Sequence, residues 1–321
     1  MRDSGLANDF HNLTRQGIYL NITSRCDARC RHCVVCGTTN HASDMTPELV
    51  NSIVSQMPES RIRNIHFVGG EPFLVKDSLL EYLQRASRLG IRSNIITNAS
   101  WATSKEDALS LMKEFSALDI LTVSSDKYHL EYIDSRFVKY AIHAGVETKK
   151  TVLLNITYVD SLECREVKSL YRDLPKSVII QTVKAMPFDD VESDSIRRVS
   201  YYDFPEKASR ICWLGNYYVG QTGEVTACCQ ATASDNSRYL YLGNISNESL
   251  EAMAKKVEDS KLCQFLKAHG VNGLLQIIKD TPYFYELKNK WFASSCELCV
   301  FLLDDIDRLT YILKKLGKDM L

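Results

Sequence analysis

The sequence predicts an α/β fold: an open, partial barrel of six β/α units, followed by a small α+β unit. Three observations predict it. Strand-like and helix-like runs alternate from Gly17 to about Val183. The alternation stops at a stretch rich in Asp, Ser and Pro, from Met186 to Lys207. Beyond it lie a glycine-punctuated hairpin pattern and several helix-like segments. Strands alternating with helices argue for a parallel sheet built of right-handed crossovers. Six units are too few to close an eight-fold barrel. The expected organisation is a barrel over residues 1–185, a connector over 186–210 and a second unit over 211–321.

Taken in order, the strand-like runs are Ile18–Ile22, Asn64–Val68, Asn94–Thr97, Leu121–Ser124, Thr151–Thr157 and Val178–Val183. The helical patterns between them fall near Thr46–Met57, Lys76–Leu89, Ser104–Phe115, Tyr132–Gly145 and Ser161–Leu174. After the connector, Tyr217–Thr226 reads as a hairpin with Gly220 and Gly223 near its turn. Leu242–Ile245 and a helix over Ser249–Glu258 follow. Lys261–Lys267 and Val271–Lys279 look helical, and Cys296–Leu316 reads as one long terminal helix or two.

Composition narrows the function. The 321 residues are 45% hydrophobic and 25% charged, ordinary for a globular protein, and the formal net charge of −1 gives no case for nucleic acid or an anionic membrane as partner. There is no bilayer-length apolar stretch and no signal pattern at Met1–Asn12, so a cytoplasmic location is expected. Ten of the eleven cysteines cluster: Cys26, Cys30, Cys33 and Cys36 early, then Cys212, Cys228, Cys229, Cys263, Cys296 and Cys299 late. In a reducing compartment such clusters favour metal sites or catalysis over disulfides.

Cys26, Cys30 and Cys33 form Cys-x3-Cys-x2-Cys directly after the first strand. Three thiolates hold three corners of a four-iron cluster and leave one iron open, whereas structural clusters and zinc sites are normally closed by a fourth ligand. Gly69-Gly70-Glu71-Pro72 follows the second strand. Paired glycines let backbone approach a ligand closely, and the carboxylate beside them suits an ammonium group.

Together these two motifs resemble the radical S-adenosylmethionine (SAM) superfamily, over about Gly17 to Val183. The resemblance implies a partial radical SAM barrel in which Cys26, Cys30 and Cys33 ligate a [4Fe–4S] cluster that chelates SAM. It implies that His32 packs against the adenine and that Glu71 holds the SAM ammonium, lined by Gly69 and Gly70. Asn98, Ser124 and Asp126, at later strand ends, match polar positions facing the SAM carboxylate or ribose. A lone Ser or Asn at a strand end is also often a helix cap. The implied chemistry is reductive cleavage of SAM to a 5′-deoxyadenosyl radical that abstracts hydrogen from a substrate.

Cys212, Cys228, Cys296 and Cys299 supply four more thiolates, with the first two flanking the predicted hairpin. Four ligands suit a closed [4Fe–4S] cluster or a zinc site. The arrangement resembles the shortened "twitch" form of the SPASM extension, which implies one auxiliary [4Fe–4S] cluster. Cys229 is then left over. In extended backbone it would point away from its neighbour Cys228, available to donate a hydrogen atom; the bland reading is a small buried hydrophobe. Cys36, Cys164 and Cys263 have no pattern behind them.

The segments Cys212–Gly215, Gly223–Cys229, Ser125–His129 and Cys296–Cys299 look like the peptide epimerases of epipeptide biosynthesis, loosely alignable between Cys229 and Cys296. That resemblance implies a ribosomally made peptide substrate, Cys229 as hydrogen donor, and a one-electron reductant such as flavodoxin or ferredoxin. With no room expected for a leader-recognition domain before residue 17, the peptide would be held by the barrel mouth, the last third of the chain or a separate partner. A radical SAM dehydrogenase, a sugar or aminocyclitol epimerase, a thioether-forming peptide maturase and a non-enzymatic iron–sulfur or zinc scaffold remain open alternatives.

Overall fold

Four of the five helices in the barrel half begin where the sequence supplies a side-chain acceptor for an orphan backbone N–H. The computed structural model describes residues 17–33, 43–185, 212, 214–229, 239–288, 290–292 and 294–317. The expected connector over 186–210 lies outside the described residues, as does Cys36. Strands β1 (Gly17–Thr23), β2 (Asn64–Gly69), β3 (Arg92–Thr97), β4 (Ile120–Ser124), β5 (Thr151–Tyr158) and β6 (Ile179–Lys184) pair in parallel, each with its sequence neighbour. The intervening helices are α1 (Pro47–Gln56), α2 (Lys76–Arg88), α3 (Lys105–Glu114), α4 (Ser135–Glu147) and α5 (Ser161–Ser169). Thr46, Ser104, Asp134 and Asp160 cap α1, α3, α4 and α5. The cap explains why α4 starts at Ser135 rather than at Tyr132: the Asp134 carboxylate accepts from the Arg136 N–H.

Alternation along the strands separates two environments. Ile18, Leu20, Ile22, Ile65, Phe67, Ile95, Leu121 and Val123 are buried in the core beneath the helices. The opposite face of the same strands carries polar groups. There Tyr19 stacks on His66 with centroids 4.3 Å apart. His66 Nδ1 lies 3.1 Å from Asn94 Nδ2, and Thr122 Oγ1 donates to Asn94 Oδ1 at 3.0 Å. Buried polar side chains of this kind persist because they satisfy one another.

The second unit is joined to the barrel through its sheet. Strands β7 (Tyr217–Val219), β8 (Glu224–Thr226) and β9 (Tyr241–Asn244) extend the six to nine, in the order β6-β5-β4-β3-β2-β1-β7-β8-β9. β7 runs parallel to β1, and β8 and β9 are antiparallel additions. The predicted hairpin is present, but it adds to the barrel sheet where the sequence suggested a separate small unit. An uncovered β1 would present a row of unpaired backbone groups, and β7 satisfies them. Asn216 Oδ1 also accepts from the Gly17 N–H at 3.1 Å.

Helices α6 (Leu250–Asp259), α7 (Lys261–Ile278), α8 (Pro282–Tyr285), α9 (Ser295–Asp304) and α10 (Ile306–Lys315) complete the chain. The two segments anticipated at Lys261–Lys267 and Val271–Lys279 form one element kinked at Gly270, whose φ of 59° is left-handed. The terminal segment is two helices, broken at Asp305, whose carboxylate accepts from the Arg308 N–H at 2.9 Å. Among the described residues no helix is long and apolar enough to cross a membrane.

Candidate active site at the strand ends

Parallel strands deliver their carboxyl ends to one rim, where ligands of such sheets collect. A cavity of about 240 Å³ opens there. Cys26, Cys30 and Cys33 line it, brought together by a tight turn in which Cys33 N donates to Cys30 O at 2.9 Å. Gly69 and Gly70 line it from β2, and Asn98 and Ser124 from β3 and β4.

The glycines are required by the cysteine loop itself. A Cβ on Gly69 would stand 2.1 Å from the Thr23 carbonyl oxygen, and one on Gly70 2.0 Å from that of Arg25. Gly70 N donates to Thr23 O and Glu71 N to Arg25 O, each at 2.7 Å. The loop carrying Cys26 therefore lies directly on the end of β2. Close approach was legible in the motif, but it is chain to chain as well as chain to ligand.

Glu71 departs from the sequence expectation. Its carboxylate is fully buried: Oε1 accepts from Phe73 N at 3.0 Å and Thr97 Oγ1 at 2.8 Å, and Oε2 accepts from Asn98 N at 2.8 Å. Those three donors occupy it. Burial pushes its pKa up to about 8 against the pull of the donors. The next residue, Ala99, adopts a left-handed φ of 68°. The Asn98 side chain is also engaged: Nδ2 donates to Asp27 Oδ1 at 2.8 Å and to Cys26 Sγ at 3.9 Å.

Asp126 is likewise turned inward, where the sequence had placed it facing SAM. Its Oδ1 accepts from the N–H groups of Tyr128 and His129, each at 3.0 Å. Its Oδ2 faces His32 Nε2 at 3.0 Å and His129 Nδ1 at 2.8 Å. Burial alone would raise this carboxyl, but the hydrogen bonds from His129 and His32 outweigh it and hold the pKa well below the usual range. Burial disfavours charge on His129, yet Asp126 and the Cys30 sulfur hold its pKa above the ordinary value.

His32 lines the cavity, stacked on Tyr128 at 4.7 Å. With Nε2 on Asp126, its Nδ1 is buried and has no hydrogen-bond partner among the described residues. An orphaned ring nitrogen beside three thiols on a glycine-lined rim fits a polar ligand bound next to a metal cluster.

The second thiol set is assembled from the far side of β1. Thr226 on β8 is level with Tyr218 on β7, which is level with Tyr19. Cys228 and Cys229 thus emerge near the amino-terminal half of β1, opposite the rim. Burial, Cys228 and Cys212 together push the Cys296 thiol up to about 12, and burial with Cys228 raises Cys212 to about 11. Cys299 is raised by burial and by Cys212, Cys296, Cys228 and Cys263. Thiols crowded so that each anion opposes the next suit a cation, which reverses that balance.

Two expectations change here. Cys229 does not turn away from Cys228: the chain bends at Ala227, and the two side chains hydrogen-bond each other, which with burial raises the Cys229 thiol. Cys263, which has no sequence pattern, is buried on α7 within electrostatic reach of Cys212 and Cys299. Tyr19, also raised by burial and by Cys229 and Cys228, adjoins the pair from β1. His129, Thr97 and Asp27 were missed as site residues. Only the Asp126-x2-His129 spacing after a strand offered a signal for one of them.

The radical SAM superfamily model matches residues 20–171. YydG of Bacillus subtilis (strain 168), named for peptide biosynthesis, is 22% identical over 304 residues, covering 92% of this chain and 94% of YydG. PqqA peptide cyclase of Bradyrhizobium diazoefficiens is 32% identical over 83 residues, covering 26% of this chain and 22% of its own. Among solved structures, anSMEcpe with bound AdoMet superposes with a TM-score of 0.53 at 14% identity, covering 94% of this chain and 98% of its own. Streptococcus suis SuiB bound to S-adenosylmethionine gives 0.53 at 13% identity, covering 86% and 77%. At such identities these two structures speak for the fold alone. With the three-cysteine rim, the matched superfamily implies SAM and a [4Fe–4S] cluster as cofactors and makes residues 20–171 a radical SAM domain.

Proposed function

We propose that the protein is a peptide epimerase, converting L-residues of a ribosomally made peptide to D-residues with two [4Fe–4S] clusters and SAM. The observation that carries the reading is the placement of two reactive groups about β1. The early cysteines follow its carboxyl end, and Cys229 adjoins Tyr19 in its amino-terminal half. A Cα held in the barrel between them is open to attack on one face and to hydrogen return on the other. Similarity to YydG along nearly the whole chain supports a peptide as substrate.

Bound at the rim, the cluster and SAM supply a carbon radical that removes the Cα hydrogen. Cys229 then gives its S–H hydrogen to the opposite face: a C–H bond forms, an S–H bond breaks, and the sulfur radical regains one electron and one proton. The electron comes ultimately from a one-electron donor such as flavodoxin or ferredoxin. Cys212, Cys228, Cys296 and Cys299 are proposed to hold the auxiliary cluster.

The test is incubation of the protein with a short ribosomally made peptide, anaerobically in deuterated water. Wild type should add one solvent deuterium at Cα with no net oxidation. Cys229→Ala should still cleave SAM and lose inversion by at least a hundredfold. One observation favours a dehydrogenase instead: Cys229 is not among the residues lining the rim cavity. A Cys229→Ala variant that still yields peptide two hydrogens lighter decides for that reading.

A further inference from the structure

A sheet that does not close has two edges, and here they are finished differently. At the β9 end, Lys256 of α6 reaches back and donates from Nζ to the Leu242 carbonyl at 3.0 Å. A lysine brought against an edge strand is one of the ordinary means of blunting it. β6 lies at the other end. It holds register with β5 from Ile179, level with Leu153, to Lys184, level with Tyr158, with no bulge and no proline. Half of its backbone N–H and C=O groups point toward β5 and half point away. Among the described residues no strand pairs with the outward half. Ile180 is level with Leu154 on the helix-covered face yet is 43% exposed, and Val183 is level with Thr157 on the opposite face and is 39% exposed. A straight edge with a β-branched side chain open on each face is a template for another strand. It also leads to the site: Val183, Lys184 and Ala185 line the rim cavity with Cys26, Cys30 and Cys33. Ala185 N donates to Tyr158 O at 2.9 Å, which carries the pairing one residue past the strand, up to the cavity wall.

We propose that the outer edge of β6 is the docking strand for the peptide substrate: a segment flanking the residue to be modified pairs with it as a further strand, and the chain continues past Val183 into the rim cavity. The proposal rests on the reading of the substrate as a peptide. In strand addition, main-chain hydrogen bonds supply the affinity and alternate side-chain positions supply the selectivity. The six residues of β6 hold a segment of roughly 20 Å. The segment that fits is extended and free of proline, with apolar or β-branched side chains beside Ile180 and Val183. Held in this way, the flanking chain is fixed by its backbone while the residue beyond it stays clear of the ladder, where its Cα is open to attack.

The experiment is hydrogen exchange of the anaerobically reconstituted full chain, resolved to single amides, with and without the hexapeptide acetyl-Lys-Thr-Val-Thr-Val-Lys-amide at millimolar concentration. The probe favours the extended form, and its terminal lysines oppose self-association. Without it, alternate amides of Ile179–Lys184 should exchange fast and the others slowly. With it, the fast set should slow about tenfold while Tyr241–Asn244 of β9 does not change. The same hexapeptide N-methylated at its Thr and Val positions should slow nothing. Gln181→Pro and Thr182→Pro give a second readout. Neighbouring N–H groups point opposite ways, so one variant breaks the ladder to β5 and the other removes a donor from the open edge alone. The variant that melts as wild type should lose the slowing at least threefold and raise the KM for peptide by at least as much, with SAM cleavage in the absence of peptide unchanged. Amides that are all slow before the probe is added overturn the proposal, as does a probe that slows none of them, slows β9 equally or acts equally when N-methylated. No turnover enters the exchange measurement, so its failure leaves the inversion test standing. A probe-slowed β6 in a chain that inverts nothing overturns the epimerase reading alone.

Discussion

The two thiol sets are held in place by opposite means. At the rim, backbone does the positioning: strand ends and tight turns are tied by Glu71, Asp126 and direct contacts between main chains. In the second set, four or more cysteines arrive from β8, from the segment before β7, and from α7 and α9, and apolar helix packing brings them together. A site built on backbone tolerates almost no change of shape at its glycines. One built on side-chain packing tolerates change but depends on distant parts of the chain.

The largest effect should come from removing one ligand of each set. Cys30→Ala is expected to abolish SAM cleavage, by at least a thousandfold in 5′-deoxyadenosine formation, whereas Cys299→Ala should leave cleavage within tenfold of wild type while losing inversion. Equal loss in both variants would break the comparison.

Next comes Gly70→Ala, which sets a methyl group against the Arg25 carbonyl. It should cost about 3 kcal/mol by denaturant melting, since overpacking against fixed backbone is not easily relieved. The cysteine loop should loosen with it, read as faster hydrogen exchange at Gly70 and Glu71.

Above pH 8, where the ionised carboxylate accepts all three donors, Glu71→Gln should cost about 1–3 kcal/mol, because an amide NH2 must then face one of them. Its pH signature has a definite sign. The folded group keeps its proton up to about 8, against 4.5 when exposed. The folded state thus binds more protons than the unfolded between those values, and stability falls as pH rises through that window. Wild type should show this slope in melts at pH 5 to 8, and Glu71→Gln should show less of it.

These variants also show what the sequence could reveal. The barrel was legible because each β/α unit carries its own period and cap within about thirty residues, and Ser104 or Asp160 can be read without knowing what lies across the sheet. The cysteine rim was legible for the same reason. Glu71 was found as a site residue, but that its carboxylate is satisfied by Asn98 and Thr97 depends on how β2 and β3 end side by side, which spacing does not encode. Cys263 was passed over because its neighbours lie about thirty or more residues away in either direction. The pairing of β7 with β1, two hundred residues apart, has no local mark at all.

The smallest effect expected is at Asp305, whose cap separates α9 from α10. Asp305→Ala should lower stability by about 1 kcal/mol and leave SAM cleavage unchanged. A drop in cleavage would mean that the helical end reaches the rim, contrary to the division drawn above.

The nine-strand sheet has a mechanical consequence. β1 is clamped by ladders on both flanks, to β2 and to β7. From the level of Tyr19 to that of Thr23 the strand advances four residues, roughly 13 Å. That span acts as a ruler between the rim cysteines and the Cys228–Cys229 pair. Its length is set by the count of residues in one strand, so lengthening β1 by a pair should part the two thiol groups by a further two rungs.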